Sequence, residues 1–297
     1  MPKSVDIKLI ISMIIVGLVW GTTFLGISIA VDTIPPWYST AIRNFVAALI
    51  VFFILLFTKK MRWIGRKGFY QQTILSVLML VFANGFTTVA ELTLPSGLTS
   101  IISAINPVVI FLMSIVFQLQ KPNLKGFVGV LLGFSGVVFI FKDGLSEILN
   151  PDYKTGVAFL SLAILSWAFG TIYSKKLNLD SNNLLLNLFY QFLIASIIQI
   201  ILSFIIYPES NIESWSLKSF GAVIYLAVFG SVIALFSYQY ALKKVSPIQV
   251  SILSYVNTII AVFLGWYLNH EVVKKEFIIA VILIIIGVFV INYKKKK

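Results

Sequence analysis

The chain has 297 residues, 59% of them hydrophobic and 11% charged, and its mean hydropathy is +0.98. A soluble domain carries about 25% charged residues, so the polarity needed to cover a water-facing surface is missing and the composition is that of an integral membrane protein. The net charge of +12 sits in short segments between apolar runs, which makes it loop charge rather than a nucleic-acid surface, and the absence of Cys excludes thiolate chemistry and disulfides.

The apolar runs, in chain order, are 9–31, 37–57, 69–90, 97–117, 126–141, 156–174, 184–207, 219–242, 247–268 and 277–293. A membrane-spanning helix needs about 20 apolar residues. Ten of them leave about nine residues for each loop and end, which is no room for a soluble domain. The first run has no charge and no small-residue cleavage site behind it, so it reads as a retained span rather than a signal peptide. Transmembrane strands would be about ten residues long and alternating. The sequence therefore predicts an all-α integral membrane protein with ten transmembrane helices.

Orientation follows from the basic residues of alternate loops. Of 23 Lys and Arg, 17 fall on one side, in the segments holding Lys3 and Lys8, Lys59 to Lys67, Lys121 and Lys125, Lys175 and Lys176, Lys243 and Lys244, and the tail 294–297. The other side holds Lys142, Lys154, Lys218, Lys274 and Lys275, with nine of the eleven acids. Both termini are expected in the cytoplasm of a bacterial inner membrane.

The sequence also repeats itself. At an offset of 151 residues, Ser100, Ser103 and Asn106 fall on Ser251, Ser254 and Asn257, and Gly136 falls on Gly287. At an offset of 147, Trp20 falls on Trp167. Polar residues are scarce in these runs, so such matches point to an internal duplication. Five spans per half is an odd number, so the second half enters the membrane from the opposite side. The expected plan is two inverted five-helix repeats, 1–142 and 156–297, joined by an external linker, 143–155. Secondary transporters use this symmetry, with the solute bound near the midplane between halves.

Several motifs resemble the EamA-type permeases of the drug/metabolite transporter superfamily. They are Trp20-Gly21-Thr22-Thr23-Phe24, Arg43-Asn44-Phe45 and Ser103 through Pro107 in the first half. The second half has Ser166-Trp167-Ala168-Phe169-Gly170, Tyr240-Ala241-Leu242, and Gly265 to Glu271 with Gly287. The resemblance covers nearly the whole chain. It implies a permease for small polar metabolites, often amino acids moved outward. Gln120 stands where the family often has Glu, Thr258 where it often has Pro, and Glu91 at a normally apolar position.

Polar groups within a bilayer are functional candidates by default. Arg43 is the one basic residue deep inside a run, roughly 9 Å below the outer surface by helix rise. It could grip a substrate carboxylate; alternatively it packs, snorkels or closes a gate with Glu91, itself a candidate for gating or for carrying a coupling proton. Asn106 and Asn257 fall near the midplane and either line a substrate site or glue helices. Trp20 and Trp167 are too deep for an interfacial belt and either wall a cavity or pack the core. Asn84, Tyr238 and Tyr255 complete the substrate-binding candidates, while Gln191 and Gln239 read as helix contacts. Gly126, Gly129, Gly133 and Gly136 form one stripe that lets another helix approach, in the bundle or in a homodimer.

No G-x-x-x-x-G-K-[ST] run occurs, and a single His270 rules out HExxH zinc chemistry. No metal, cofactor or enzymatic activity is expected. The expected partners are a small-molecule solute and membrane lipid. Within transport the alternative is a nucleotide-sugar or lipid-linked sugar carrier, which would want more than one cavity Arg. Outside transport it is a polytopic receptor or assembly factor.

Overall fold

The computed structural model describes residues 6–140, 150–177, 184–269 and 276–292. Lys3, Lys142, Asp180, His270, Glu271, Lys274, Lys275, the tail 294–297 and the segment 143–149 of the expected linker lie outside the described residues. Among the described residues all regular structure is helical. The helices are α1 (Ile7–Val31), α2 (Pro36–Phe57), α3 (Gly65–Ala90), α4 (Ser96–Val116) and α5 (Leu124–Ile140), then α6 (Lys154–Leu177), α7 (Leu184–Ile206) and α8 (Leu217–Lys244). The helix α9 is made of Pro247–Ser251 and Leu253–Asn269, and α10 is Glu276–Asn292. Among the described residues seven helices are long and apolar enough to cross a membrane, and three shorter apolar ones, in α5, α9 and α10, accompany them.

Helix starts follow local chemistry. The Asp6 side chain accepts a hydrogen bond from the Leu9 amide at 3.1 Å, satisfying one of the free N–H groups of α1. Pro36 and Pro247 occupy first positions, where their missing N–H does no harm. Ser216 caps α8 by accepting from the Ser219 amide at 3.0 Å. The Ser246 and Gln249 pair forms a capping box ahead of α9.

Among the described residues four helices depart from regular α geometry, α9 at Ile252 between its two pieces. α4 breaks at Ala104 and Ile105, just before Pro107, whose ring cannot continue the ladder. α3 and α8 each contain a π-helical stretch, Ser76–Asn84 and Leu226–Ile233. Carbonyls of these wide turns accept side-chain hydrogen bonds from other helices. Ser166 donates to Leu78 at 2.8 Å, Gln199 to Leu80 at 2.9 Å, and the Trp20 indole to Gly230 at 3.1 Å. Such bulges concentrate at functional sites.

The bundle is apolar outside and polar at selected points within, as a lipid solvent demands. Phe57, Leu124 and Leu217 are exposed, whereas Asn44, Gln72, Gln191 and Gln199 are buried. Asn44 of α2 donates to Gln199 of α7 at 2.8 Å, and Gln191 of α7 donates to Gln72 of α3 at 2.7 Å. The glycine stripe of α5 is consumed inside the chain. A Cβ on Gly287 of α10 would stand 2.6 Å from the Gly129 carbonyl and 2.7 Å from the Gly133 amide. Gly126 faces Phe111, and Gly136 faces the Ala280 carbonyl. The stripe therefore gives no separate reason for a homodimer.

Candidate functional site

Seven helices, α1 to α4 with α6, α8 and α9, converge on a cavity of about 910 Å³ including its mouth. Six of the sequence candidates line it: Trp20, Arg43, Asn84, Asn106, Trp167 and Asn257. The depth argument explains the convergence. Residues a similar distance into neighbouring spans meet at one level because each residue rises 1.5 Å.

Arg43 is the one charged side chain of the lining among the described residues, and only 5% of it is exposed. Its Nε donates to Ser231 Oγ at 2.8 Å, and Nη1 donates to Asn84 Oδ1 at 3.3 Å. Both partners are neutral, and both lie in the wide turns of α3 and α8. Its Nη2 lies against Gly230, where a Cβ would stand 3.1 Å away. That glycine lets the guanidinium lie along the backbone of α8.

The expected pair of Arg43 with Glu91 is not formed. Arg43 reaches Asn84, and Glu91 stands seven residues further along α3, about 10 Å by helix rise. Both Glu91 carboxylate oxygens are buried with no side-chain partner among the described residues, the Ser28 backbone being their polar neighbour, and Glu91 lies outside the lining. Thr87, one turn before it on the same face, does line the cavity.

One end of the cavity is an aromatic floor. Trp20 and Trp167 meet edge to face at 5.2 Å, and Tyr238 lies 5.1 Å from each ring. Tyr238 therefore supports the walls from beneath and does not line the space itself. Behind this floor, α6 and α8 are joined in succession. Thr171 bonds the Tyr238 hydroxyl at 2.7 Å, Ser174 donates to Gln239 at 2.8 Å, and Lys175 donates to the Leu242 and Val245 carbonyls at 2.6 and 2.8 Å.

Two candidates turn out to hold helices together. Tyr255 packs its ring on Gly133 of α5 and donates to the Val130 carbonyl at 3.0 Å, away from the cavity. Two residues from Asn257 it stands about 200° around the helix, on another face. The Asn257 amide faces the carbonyls of Gly17 and Leu253, and in the orientation that turns its nitrogen toward them it donates to both at 2.9 Å, tying α9 to α1 while bordering the cavity. Asn106 is different, because its buried Oδ1 has no partner among the described residues.

Residues missed from sequence are Ser231 and Gly230, together with Thr23, Phe24 and Thr87. The adjacent Gly-Ser within an apolar run was the available signal. The widened turn that aims Ser231 at Arg43 has no residue-type signature.

The EamA-like transporter family model matches residues 7–142 and again 154–293. The chain belongs to the EamA-like transporter family. It is an integral membrane protein of a transporter family, and several of its relatives are named as transporters. The uncharacterized inner membrane transporter YedA of Escherichia coli K12 is 30% identical over 280 residues, covering 94% of this chain and 88% of that one. The uncharacterized transporter YoaV of Bacillus subtilis is 24% identical, covering 95% and 96%. Protein PagO of Salmonella typhimurium is 25% identical, covering 95% and 92%. A solved crystal structure superposes with a TM-score of 0.78 over 97% of each chain at 16% identity, a likeness of fold alone.

Proposed function

We propose that this EamA-family chain is a permease for small polar metabolites, amino acids or related compounds, that exports them by alternating access. The observation that carries the reading is Arg43. A side chain of the first half holds Asn84 of its own half and Ser231 of the other, at a cavity lined from both. Two halves related as inverted repeats, 1–142 and 156–297, would exchange conformations around such a site. The two separate family matches and the π stretch in the third helix of each half support that plan. Glu91 is the coupling candidate, since its carboxylate is buried with no side-chain partner among the described residues.

Flux into proteoliposomes tests the reading. Labelled polar metabolites, amino acids among them, are expected to equilibrate at least about tenfold faster than in empty vesicles. Equal rates for the whole panel would remove the permease reading. Sidedness is checked on this naturally Cys-free chain. Thr58→Cys is expected to react with an impermeant maleimide only from the cytoplasmic face and Ser210→Cys only from the outside. The reverse pattern would invert the topology.

A further inference from the structure

We infer that the cavity selects small organic anions, specifically carboxylates that carry no amino group, over both amines and zwitterions. The inference rests on the permease reading but, within its solute class, replaces amino acids with related compounds that lack the ammonium group.

Arg43 contributes a fixed positive charge with 5% exposure. Its two hydrogen-bond acceptors, Ser231 and Asn84, are neutral, and Nη2 makes no hydrogen bond among the described residues. No carboxylate lines the cavity among the described residues. Among the described residues every other charged side chain, Glu91 included, falls at or beyond a helix end, and none of them is in the lining. A buried charge without an opposite partner is unfavourable, and a bound carboxylate would supply that partner through two charge-assisted hydrogen bonds. Coulomb's law at an effective dielectric of about 20 and a separation of about 6 Å favours an anion by roughly 100-fold and opposes a cation by a similar factor.

A zwitterion keeps the attraction but brings an ammonium group that the same Arg43 charge repels. Aromatic faces are the usual neutral hosts for such a cation. Here the rings of Trp20, Trp167 and Tyr238 are turned on one another, and the Trp20 N–H already serves Gly230. The remaining lining divides into apolar groups such as Leu80 and Ile164, the ring of Phe24, and small polar groups such as Ser103, Ser254 and Asn106. That suits an apolar body with one small donor group, for which Asn106 Oδ1 is an open acceptor, and leaves the Arg43 charge as the feature that discriminates.

The test uses three probes that share one body, 3-phenylpropanoate, 2-phenylethylamine and phenylalanine, titrated calorimetrically into the detergent-solubilised full chain. 3-Phenylpropanoate is expected to bind at least about 30-fold more tightly than either of the others. In Arg43→Gln, which keeps hydrogen-bonding capacity and removes the charge, that preference should shrink to within about threefold. An amine or phenylalanine that binds the parent protein as tightly as the propanoate would overturn the inference, as would the absence of propanoate binding. Proteoliposomes separate this failure from that of the wider reading. A chain that carries labelled amino acids but not 3-phenylpropanoate loses the inference and keeps the permease; one that moves no member of the metabolite panel loses both.

Discussion

Arg43→Ala is expected to reduce solute flux by at least about 100-fold, and Arg43→Lys by about 30-fold. Each hydrogen bond to a charged group contributes about 1.5–3 kcal/mol, and alanine removes the contacts to Ser231 and Asn84 together with any made to solute. Lysine keeps the charge but replaces a planar fork with a single point. It cannot hold Ser231 at 2.8 Å and Asn84 at 3.3 Å in the same plane. Ser231→Ala and Asn84→Ala each remove one neutral acceptor, so milder losses, about three- to tenfold, are expected. The measurement is the initial rate in proteoliposomes, normalised to folded protein recovered by size exclusion. If both Arg43 variants match the parent, Arg43 has no part in transport.

The largest stability effect is expected at the crossing of α5 and α10. Gly287→Ala places a Cβ 2.6 Å from the Gly129 carbonyl and 2.7 Å from the Gly133 amide. Both obstacles are backbone, so neither can rotate away, and the helices must separate. Overpacking of this kind costs about 1–3 kcal/mol, and the upper end applies here. The control is Gly221→Ala in α8, where nothing stands within 4 Å. There the substitution should be neutral or stabilising by up to about 1 kcal/mol, because alanine is the better helix former. Thermal unfolding in detergent compares the two, and a Gly287 variant as stable as the Gly221 variant would contradict the close approach.

Much of the helical layout was legible because lipid leaves the backbone few alternatives. The run 37–57 became Pro36–Phe57, and 219–242 became Leu217–Lys244. The helix α3 begins four residues before its apolar run, because Gly65, Arg66 and Lys67 form a polar first turn outside the hydrophobic stretch. Depth was legible too, since the rise per residue is fixed, and Trp20, Trp167 and Asn106 accordingly meet at one cavity. Rotational phase was not. Tyr255 sits two residues from Asn257 and faces another helix. The partners of Arg43 were unreadable for a related reason. The π stretches shift the phase of everything beyond them, and Ser76–Asn84 and Leu226–Ile233 contain no Pro or other residue that announces a wide turn.

The linkage between α6 and α8 has a consequence for what can pass. Its rungs, at Thr171, Ser174 and Lys175, all join the same two helices and lie in file behind the rings of Trp20, Trp167 and Tyr238. A seam of that kind does not open by the swing of one side chain. The two helices must part over more than one turn, breaking all three links together. In the permease proposed above, passage across the aromatic layer would then be one cooperative event for solute and for ions alike.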